Sequence, residues 1–291
     1  MSRVAANAAG LGAILSWGTL GVLGKLSEAT DTRLVFAACF AIAGLVGVVI
    51  CLATGRSLAP QMSRRNVLFA LLLSAYHLIY FASFSLAPAL HVSLINYLWP
   101  ALLILFGNLF FRLNSGWQGY AGVGLGFCGI VVLLLGGAQA GHSVDKVSGY
   151  VMALVGAALW AFFSNLRRTD TGDPIASMTV ICALSAALCA VSIFIGSGAV
   201  GISNPDELII IILLGLGPAG GAFFLWDMGM KRGNAAALAV FGYSAPILST
   251  IFMVLAGFAE ARWNTAVAAL LIAAGGAVVS LAGSVHRRES A

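Results

Sequence analysis

Tyr97-Leu98-Trp99-Pro100 returns 146 residues later as Tyr243-Ser244-Ala245-Pro246, near the same place in each half of the chain. Around that pair, the ungapped stretch 76–100 lies on 222–246 and matches Tyr80 with Trp226 and Ala89 with Ala235; earlier in each half, Trp17 matches Trp160 with slightly different spacing. Duplication inside an apolar chain is the mark of a transporter built from internal repeats.

The rest of the chain is as apolar as that pair requires. With 60% hydrophobic and 9% charged residues among 291, there is too little polar surface to cover a soluble globule. Apolar runs of about 20 residues, enough to cross a hydrocarbon core, fall near 6–24, 34–54, 67–87, 89–111, 117–137, 148–166, 174–196, 208–230, 234–258 and 265–285. The links between them are short and carry breakers: Gly55 to Asn66 with Pro60, Ala87-Pro88, Arg112 to Gly116, and Gly196 to Glu207 with Pro205. The expected fold is therefore an all-α integral membrane protein of ten transmembrane helices, with five in 1–140 and five in 141–291. The first span lacks a charged n-region and a convincing cleavage site, so it is expected to be retained and not removed as a signal. Five crossings per half is an odd number, which turns the second copy upside down relative to the first. Such inverted repeats place a substrate site at their interface near the bilayer midplane.

Orientation follows from the basic residues, because positive loops resist translocation. With the N-terminus inside, the cytoplasmic side holds Arg3, Arg56, Arg64, Arg65, Arg112, Arg167, Arg168, Lys231, Arg232, Arg287 and Arg288; the outer side holds only Lys25, Arg33, Lys146 and Arg262. Both termini of this multi-pass protein are expected to be cytoplasmic. The pI of about 9.1 then reports topology and not a nucleic-acid partner, since the basic residues are spread over six short segments.

Cys39, Cys51, Cys128, Cys182 and Cys189 all fall inside spans and form no close ligand pair, so neither disulfides nor a metal site nor any cofactor is expected. Glycine pairs at four-residue spacing, such as Gly122 with Gly126, let helix backbones approach in lipid. The run from Gly215 to Gly221 differs, because Pro218 removes a donor in mid-span and predicts a kink.

A polar group left unpaired in hydrocarbon costs several kcal/mol, so each intramembrane polar side chain should face the bundle interior. The third span offers Tyr76, His77 and Tyr80, and the spacing of His77, Tyr80 and Phe84 puts those three on one face. The fourth carries Tyr97 and Trp99, about 200° apart on an ideal helix, which reach one cavity only if it wraps the helix or the helix bends at Pro100. Tyr243 and Ser244 approach the equivalent place in the ninth span, and Trp17 and Trp160 lie deep in theirs. Trp117, Tyr120, Tyr150 and Trp263 sit at span ends, where an interfacial belt accounts for them. Pro100 and Pro246 occupy matching positions and are expected to act as paired hinges, each freeing a carbonyl one turn earlier.

The candidate substrate site is thus Trp17, Tyr76, His77, Tyr80, Tyr97, Trp99, Trp160, Tyr243 and Ser244. In it the aromatic rings line or close a cavity, His77 and Ser244 orient the polar end, and Trp17 packs against the entrance. His77, whose ordinary pKa is near neutrality, is also the candidate for coupling protons to flux.

The Trp-Gly of Ser16-Trp17-Gly18, the paired Tyr-x-x-Pro, Glu260 after the second copy, and the five-plus-five plan resemble the EamA-like branch of the drug/metabolite transporter superfamily over the whole chain. Tyr76-His77-x-x-Tyr80 with Tyr97-x-Trp99-Pro100 is similar, within that branch, to the aromatic amino acid exporters of bacterial inner membranes, the YddG type. The resemblance implies export of aromatic and other neutral amino acids by alternating access through a central cavity. One departure is that Asn114 stands in the first half where Glu260 stands in the second.

Aromatic rings suit an aromatic substrate through offset stacking, but they also hold organic cations, so cation efflux is the nearest alternative. Proton-coupled cation exchange wants a carboxylate in mid-membrane, and the only acid within a span is Asp227, about one turn from Lys231 and Arg232, where an ion pair is expected. Phosphorylated metabolites lack a lysine or arginine in the cavity, with Lys25 the residue that would change this. An intramembrane enzyme is disfavoured because no nucleophile elbow frames Ser83, Ser85 or Ser93 beside His77 or His91. A structural scaffold remains open and predicts no saturable flux. The expected partners are an amino-acid substrate and lipid, and nothing in the sequence demands a second copy.

Overall fold

The computed structural model of the chain describes residues 2–111, 116–136, 144–167, 170–196, 201–202, 204–233, 241–242, 244–260 and 262–289. Its described residues are helical or turn, with no strand among them. In chain order the helices are α1 (Arg3–Gly18), α2 (Leu20–Leu26), α3 (Thr32–Ala53), α4 (Arg64–Ala82), α5 (Ala89–Asn96), α6 (Trp99–Phe111), α7 (Gly116–Gly136), α8 (Val144–Arg167), α9 (Pro174–Ile195), α10 (Pro205–Leu216), α11 (Gly221–Arg232), α12 (Ala245–Leu255) and α13 (Trp263–Glu289).

Helix starts are written in the sequence as polar caps. Ser2, Asp31, Ser63, Asp173 and Asn204 each accept a backbone N–H from the first turn that follows, and Pro174 and Pro205 sit where a helix needs no donor. Among the described residues, seven helical stretches are long and apolar enough to cross a membrane: Arg3–Leu26, Thr32–Ala53, Arg64–Ser85, Ala89–Phe110, Lys146–Arg167, Pro174–Ile195 and Pro205–Gly229. Tyr120–Gly129 and Trp263–Gly275 are shorter apolar helices. Residues 234–240 and 243 of the expected ninth span lie outside the described residues, and its later part is α12.

Several spans are broken rather than continuous. The first is interrupted at Thr19 between α1 and α2, and the third tightens into a 3₁₀ turn over Ser83–Ser85. The fourth ends at Asn96 and restarts at Trp99, so Pro100 is the second residue of a new helix. Pro246 is likewise the second residue of α12. Each proline therefore sits in a first turn, where its missing N–H costs nothing, and not within a helix that it must bend. The kink expected around Pro218 is a full break: α10 stops at Leu216, α11 starts at Gly221, and Ala219 and Ala222 donate to the Leu214 and Gly217 carbonyls, both at 2.9 Å and five residues back.

The broadest helix contacts are α7 with α13 and α3 with α9, followed by α1 with α11 and α4 with α8. Small residues permit the first of these. A Cβ on Gly129 would lie 2.8 Å from the Ala268 carbonyl oxygen, and one on Gly275 would fall on the Gly122 carbonyl and 2.9 Å from the Gly126 nitrogen. The outward faces carry large apolar side chains such as Leu45, Leu52, Phe194 and Leu255, as a chain solvated by lipid requires.

Candidate functional site

The site begins on α4, where side chains four apart lie over one another. Tyr76 and Tyr80 stack with centroids 5.7 Å apart and planes 5° from parallel, and Phe84 continues the row 5.2 Å from Tyr80. His77 belongs to the neighbouring face instead. It lies among Phe36, Phe40, Phe81 and Phe223 at 4.8, 5.0, 6.3 and 5.5 Å while its ring meets Tyr76 of the cluster edge-on at 4.5 Å, and its Nδ1 is 2.8 Å from the Leu73 carbonyl one turn back. The expected face of His77, Tyr80 and Phe84 is thus divided, because the i,i+4 pairs dominate the packing.

Helix breaks bring the other rings to Tyr76. The interruption at Thr19 opens the Trp17 carbonyl to a side-chain donor, and the Tyr97 hydroxyl donates to it at 2.9 Å. With the fourth span restarting at Trp99, Tyr97 and Trp99 both reach the same cluster despite their helical spacing. Trp17 meets Trp99, Trp160 and Trp226 at 6.5, 5.9 and 5.0 Å. Trp160 meets Tyr76 at 5.3 Å, Trp99 at 6.3 Å, Phe163 at 5.3 Å and Phe223 at 5.7 Å. Edge-to-face and tilted arrangements prevail, each pair worth about 0.5–1.5 kcal/mol beyond its buried area. Trp17 is 8% exposed and is the ring that meets three other indoles.

Polar atoms fringe the rings. The Asn96 amide donates to the Tyr76 hydroxyl at 3.3 Å while its Oδ1 has no hydrogen-bond partner. Ser93 and Ser249 lie beside the Tyr80 and Tyr97 hydroxyls without making a well-formed bond, and both are fully buried. Their oxygens converge on Gly21, where a Cβ would lie 2.7 Å from Ser93 Oγ and 3.0 Å from Ser249 Oγ. These acceptors are what a bound ammonium or hydroxyl would satisfy. Among the described residues no three His, Cys, Asp or Glu side chains converge as a metal site would need.

The structure does not bring every candidate to the cluster. The Ser244 hydroxyl donates to the Phe241 carbonyl at 2.6 Å, which occupies it locally. Tyr243 lies outside the described residues. Trp226 joins the ring cluster through Trp17 although it was not among the candidates, and the repeat register had already matched it with Tyr80. Of the four aromatics assigned to the belt, Trp117, Tyr120 and Trp263 are 72%, 55% and 76% exposed. Tyr150 is half-buried and its hydroxyl lies 2.9 Å from His91 Nδ1, a contact that the belt assignment overlooked.

The charges lie at the ends of the bundle, away from the rings. Asp227 pairs with Arg167 of α8 at 2.5 Å, a partner from another helix that its expected pairing with Lys231 and Arg232 did not include. Arg167 also holds Asp170, and donates to Ser177 Oγ at 3.1 Å. Lys25 is taken by Glu28 three residues on, so it points to its own ion pair and not to a phosphate cradle. The hydrogen-bonded Arg33 guanidinium beside Asp31 holds that carboxyl below the usual carboxylate range. Glu28, Asp31, Arg33, Leu78, Ser192 and Ile202 are among the residues lining a cavity of about 830 Å³ at this end.

Comparison with known proteins agrees with this geometry. The model of the EamA-like transporter family matches residues 5–135 and again 147–281. The chain is 36% identical over 286 residues to the aromatic amino acid exporter YddG of Ancylobacter novellus, covering 97% of this chain and 99% of that one. It is 28% identical over 263 residues to the aromatic amino acid exporter YddG of Escherichia coli K12, covering 86% of this chain and 88% of the relative. A solved crystal structure 35% identical in sequence superposes with a TM-score of 0.74 over the full length of both chains. Matched twice along its length and 36% identical to a full-length relative, this chain, a multi-pass membrane protein and a transporter rather than an enzyme, belongs to the EamA-like transporter family.

Proposed function

We propose that the chain exports aromatic amino acids, and other neutral ones more weakly, across a bacterial inner membrane by alternating access. The observation that carries this reading is the ring cluster around Trp17 and Trp160, which is bordered by the buried acceptors Asn96 Oδ1, Ser93 Oγ and Ser249 Oγ and has no charged side chain among its ring and hydrogen-bond contacts. Such a lining receives an aromatic side chain by stacking and a zwitterionic headgroup by hydrogen bonds. Tyr76, Tyr80, Tyr97, Trp99, Trp160 and Trp226 form the site in this reading, with Trp17 at its centre and Tyr243 and Ser244 approaching from the ninth span.

Ten spans in two inverted halves, 1–140 and 141–291, with both termini cytoplasmic, complete the proposal. It is supported by the family model matching once in each half. It is supported also by the helix contacts, which are reciprocal under exchange of halves: the second span packs on the seventh, the fifth on the tenth, the first on the eighth and the third on the sixth. Residues matched by the repeat meet each other, Trp17 with Trp160 at 5.9 Å and His77 with Phe223 at 5.5 Å, as a pseudo-two-fold axis between them would require. The helix restarts that carry Pro100 and Pro246 are the proposed hinges.

Counterflow of labelled phenylalanine, tryptophan and threonine in liposomes, with methyl viologen in parallel, tests the function. Saturable exchange of the amino acids, lost in Tyr80→Ala, is expected; flux of the cation alone would replace export of amino acids with cation efflux. Proton coupling through His77 is not expected, because the residue is 1% exposed and its ring is enclosed by Tyr76 and four phenylalanines. A His77→Gln protein that folds should keep the wild-type pH profile of counterflow, and a flattened profile would return His77 to the coupling role.

A further inference from the structure

Arg33 of α3 donates to the Ser192 carbonyl of α9 at 3.3 Å at one end of the bundle, but the helix contacts that the repeat matches differ in chemistry between the two ends. At the Arg56 end the halves are tied by polar bonds: Arg56 pairs with Asp173, Ser177 Oγ donates to Asn66 Oδ1 at 3.1 Å, and Asn165 donates to the Leu103 carbonyl at 2.8 Å. Arg167 is the centre of this end. Its side chain is 7% exposed, it carries Asp170 and Asp227, and it lies 5.5 Å over the Phe69 ring of α4. One guanidinium therefore joins α8, α9 and α11 of the second half to α4 of the first.

The repeat supplies the comparison. The spacing that matches Trp160 with Trp17 matches Arg167 with Gly24, and the spacing that matches Tyr243 with Tyr97 matches Asp227 with Phe81. At the opposite end these two counterparts also meet, but without charge. A Cβ on Gly24 would lie 3.3 Å from the Phe81 ring and 3.0 Å from Phe84. The same topological contact is ionic at one end and apolar at the other.

We infer that Arg167, with Asp170 and Asp227, is a latch that keeps the Arg56 end closed and must release in each transport cycle, an inference that rests on the alternating-access reading. Buried ions strongly resist losing one partner, since the remaining charge is stranded out of water. Opening this end removes that penalty by hydrating all three groups together. The apolar counterpart has no such two-sided preference. The latch therefore sets which end is closed when no substrate is bound.

The test is the distance between spin labels at Arg64→Cys and Arg232→Cys, which flank the latch on α4 and α11, in a Cys128→Ser background. A second pair at Ala29→Cys and Ile202→Cys reports the opposite end. Arg167→Gln is expected to raise the ratio of long to short distances at the first pair roughly tenfold or more, while Arg167→Lys stays near wild type. An unchanged first pair in Arg167→Gln, with phenylalanine still shifting the second, overturns the latch and leaves alternating access standing. Two pairs that never respond to saturating phenylalanine overturn alternating access itself. Should Arg167→Gln aggregate, the triple Arg167→Met, Asp170→Asn, Asp227→Asn removes the three latch charges at once and leaves the Arg56–Asp173 pair; an opened first pair supports the latch there and a closed one overturns it.

Discussion

Trp160→Ala is expected to lose about 3–5 kcal/mol of stability, the range for deleting a buried large ring, and with it nearly all phenylalanine counterflow. Trp160 is 6% exposed and touches Trp17, Trp99, Tyr76, Phe163 and Phe223, rings contributed by α1, α6, α4, α8 and α11. Its removal opens a void where those helices converge. Trp99→Ala separates binding from packing, because Trp99 is only partly buried and keeps two ring contacts. Losing those two pairs should lower counterflow about tenfold with a smaller loss of stability. Thermal unfolding in detergent beside initial counterflow rates checks both. Equal stability losses in the two variants would mean that the cluster is a core and not a site.

The second large effect is expected at Gly220, in the break of the eighth span. A Cβ there would fall on the Gly215 carbonyl oxygen and 2.8 Å from Ala43 Cβ of α3. The first of those neighbours is backbone and cannot turn aside. Gly220→Ala should therefore cost about 3 kcal/mol or more, at or beyond the upper end for overpacking, or force α10 and α11 to separate. Gly124→Ala is the control, since nothing lies within 4 Å of its added methyl. It should be neutral or stabilise by up to about 1 kcal/mol, the helix-propensity difference. A melting temperature for Gly220→Ala equal to the control would show that the break is pliable.

Much of this was legible because membrane spans declare themselves by length and apolarity. The expected boundaries 34–54, 67–87 and 174–196 lie within three residues of the helical stretches Thr32–Ala53, Arg64–Ser85 and Pro174–Ile195. The ring cluster was also legible in part: Trp17, Tyr76, Tyr80, Tyr97, Trp99 and Trp160 come together, and each is a residue that a membrane interior would otherwise disfavour or that the repeat singles out. What escaped was pairing between helices distant in sequence. Asp227 has two cations on its own helix, and nothing local says that Arg167, sixty residues away, also pairs with it. His77 could be read at i,i+3 with Tyr80 or at i,i+4 with Phe81, and only α3, which brings Phe36 and Phe40, decides between them. Ser244 was read from its repeat position, but its hydroxyl bonds locally to the Phe241 carbonyl, which also accepts the Ser244 N–H.

The ring cluster is filled by its own side chains. Trp17, Tyr76, Tyr80, Tyr97 and Trp160 are each 8% exposed or less while packed ring against ring. On the proposed export reading, a phenyl or indole group arriving there would take a place already occupied by its own kind, so that binding would be a swap of one ring for another. Contact area lost from the resident ring nearly equals contact area gained by the guest, and little net apolar surface leaves water. Loose holding follows, and with it fast departure: the guest leaves because the host closes over the vacancy with nearly the same contacts. For a carrier that must let go against a rising outside concentration, self-filling is a better design than a tailored empty slot.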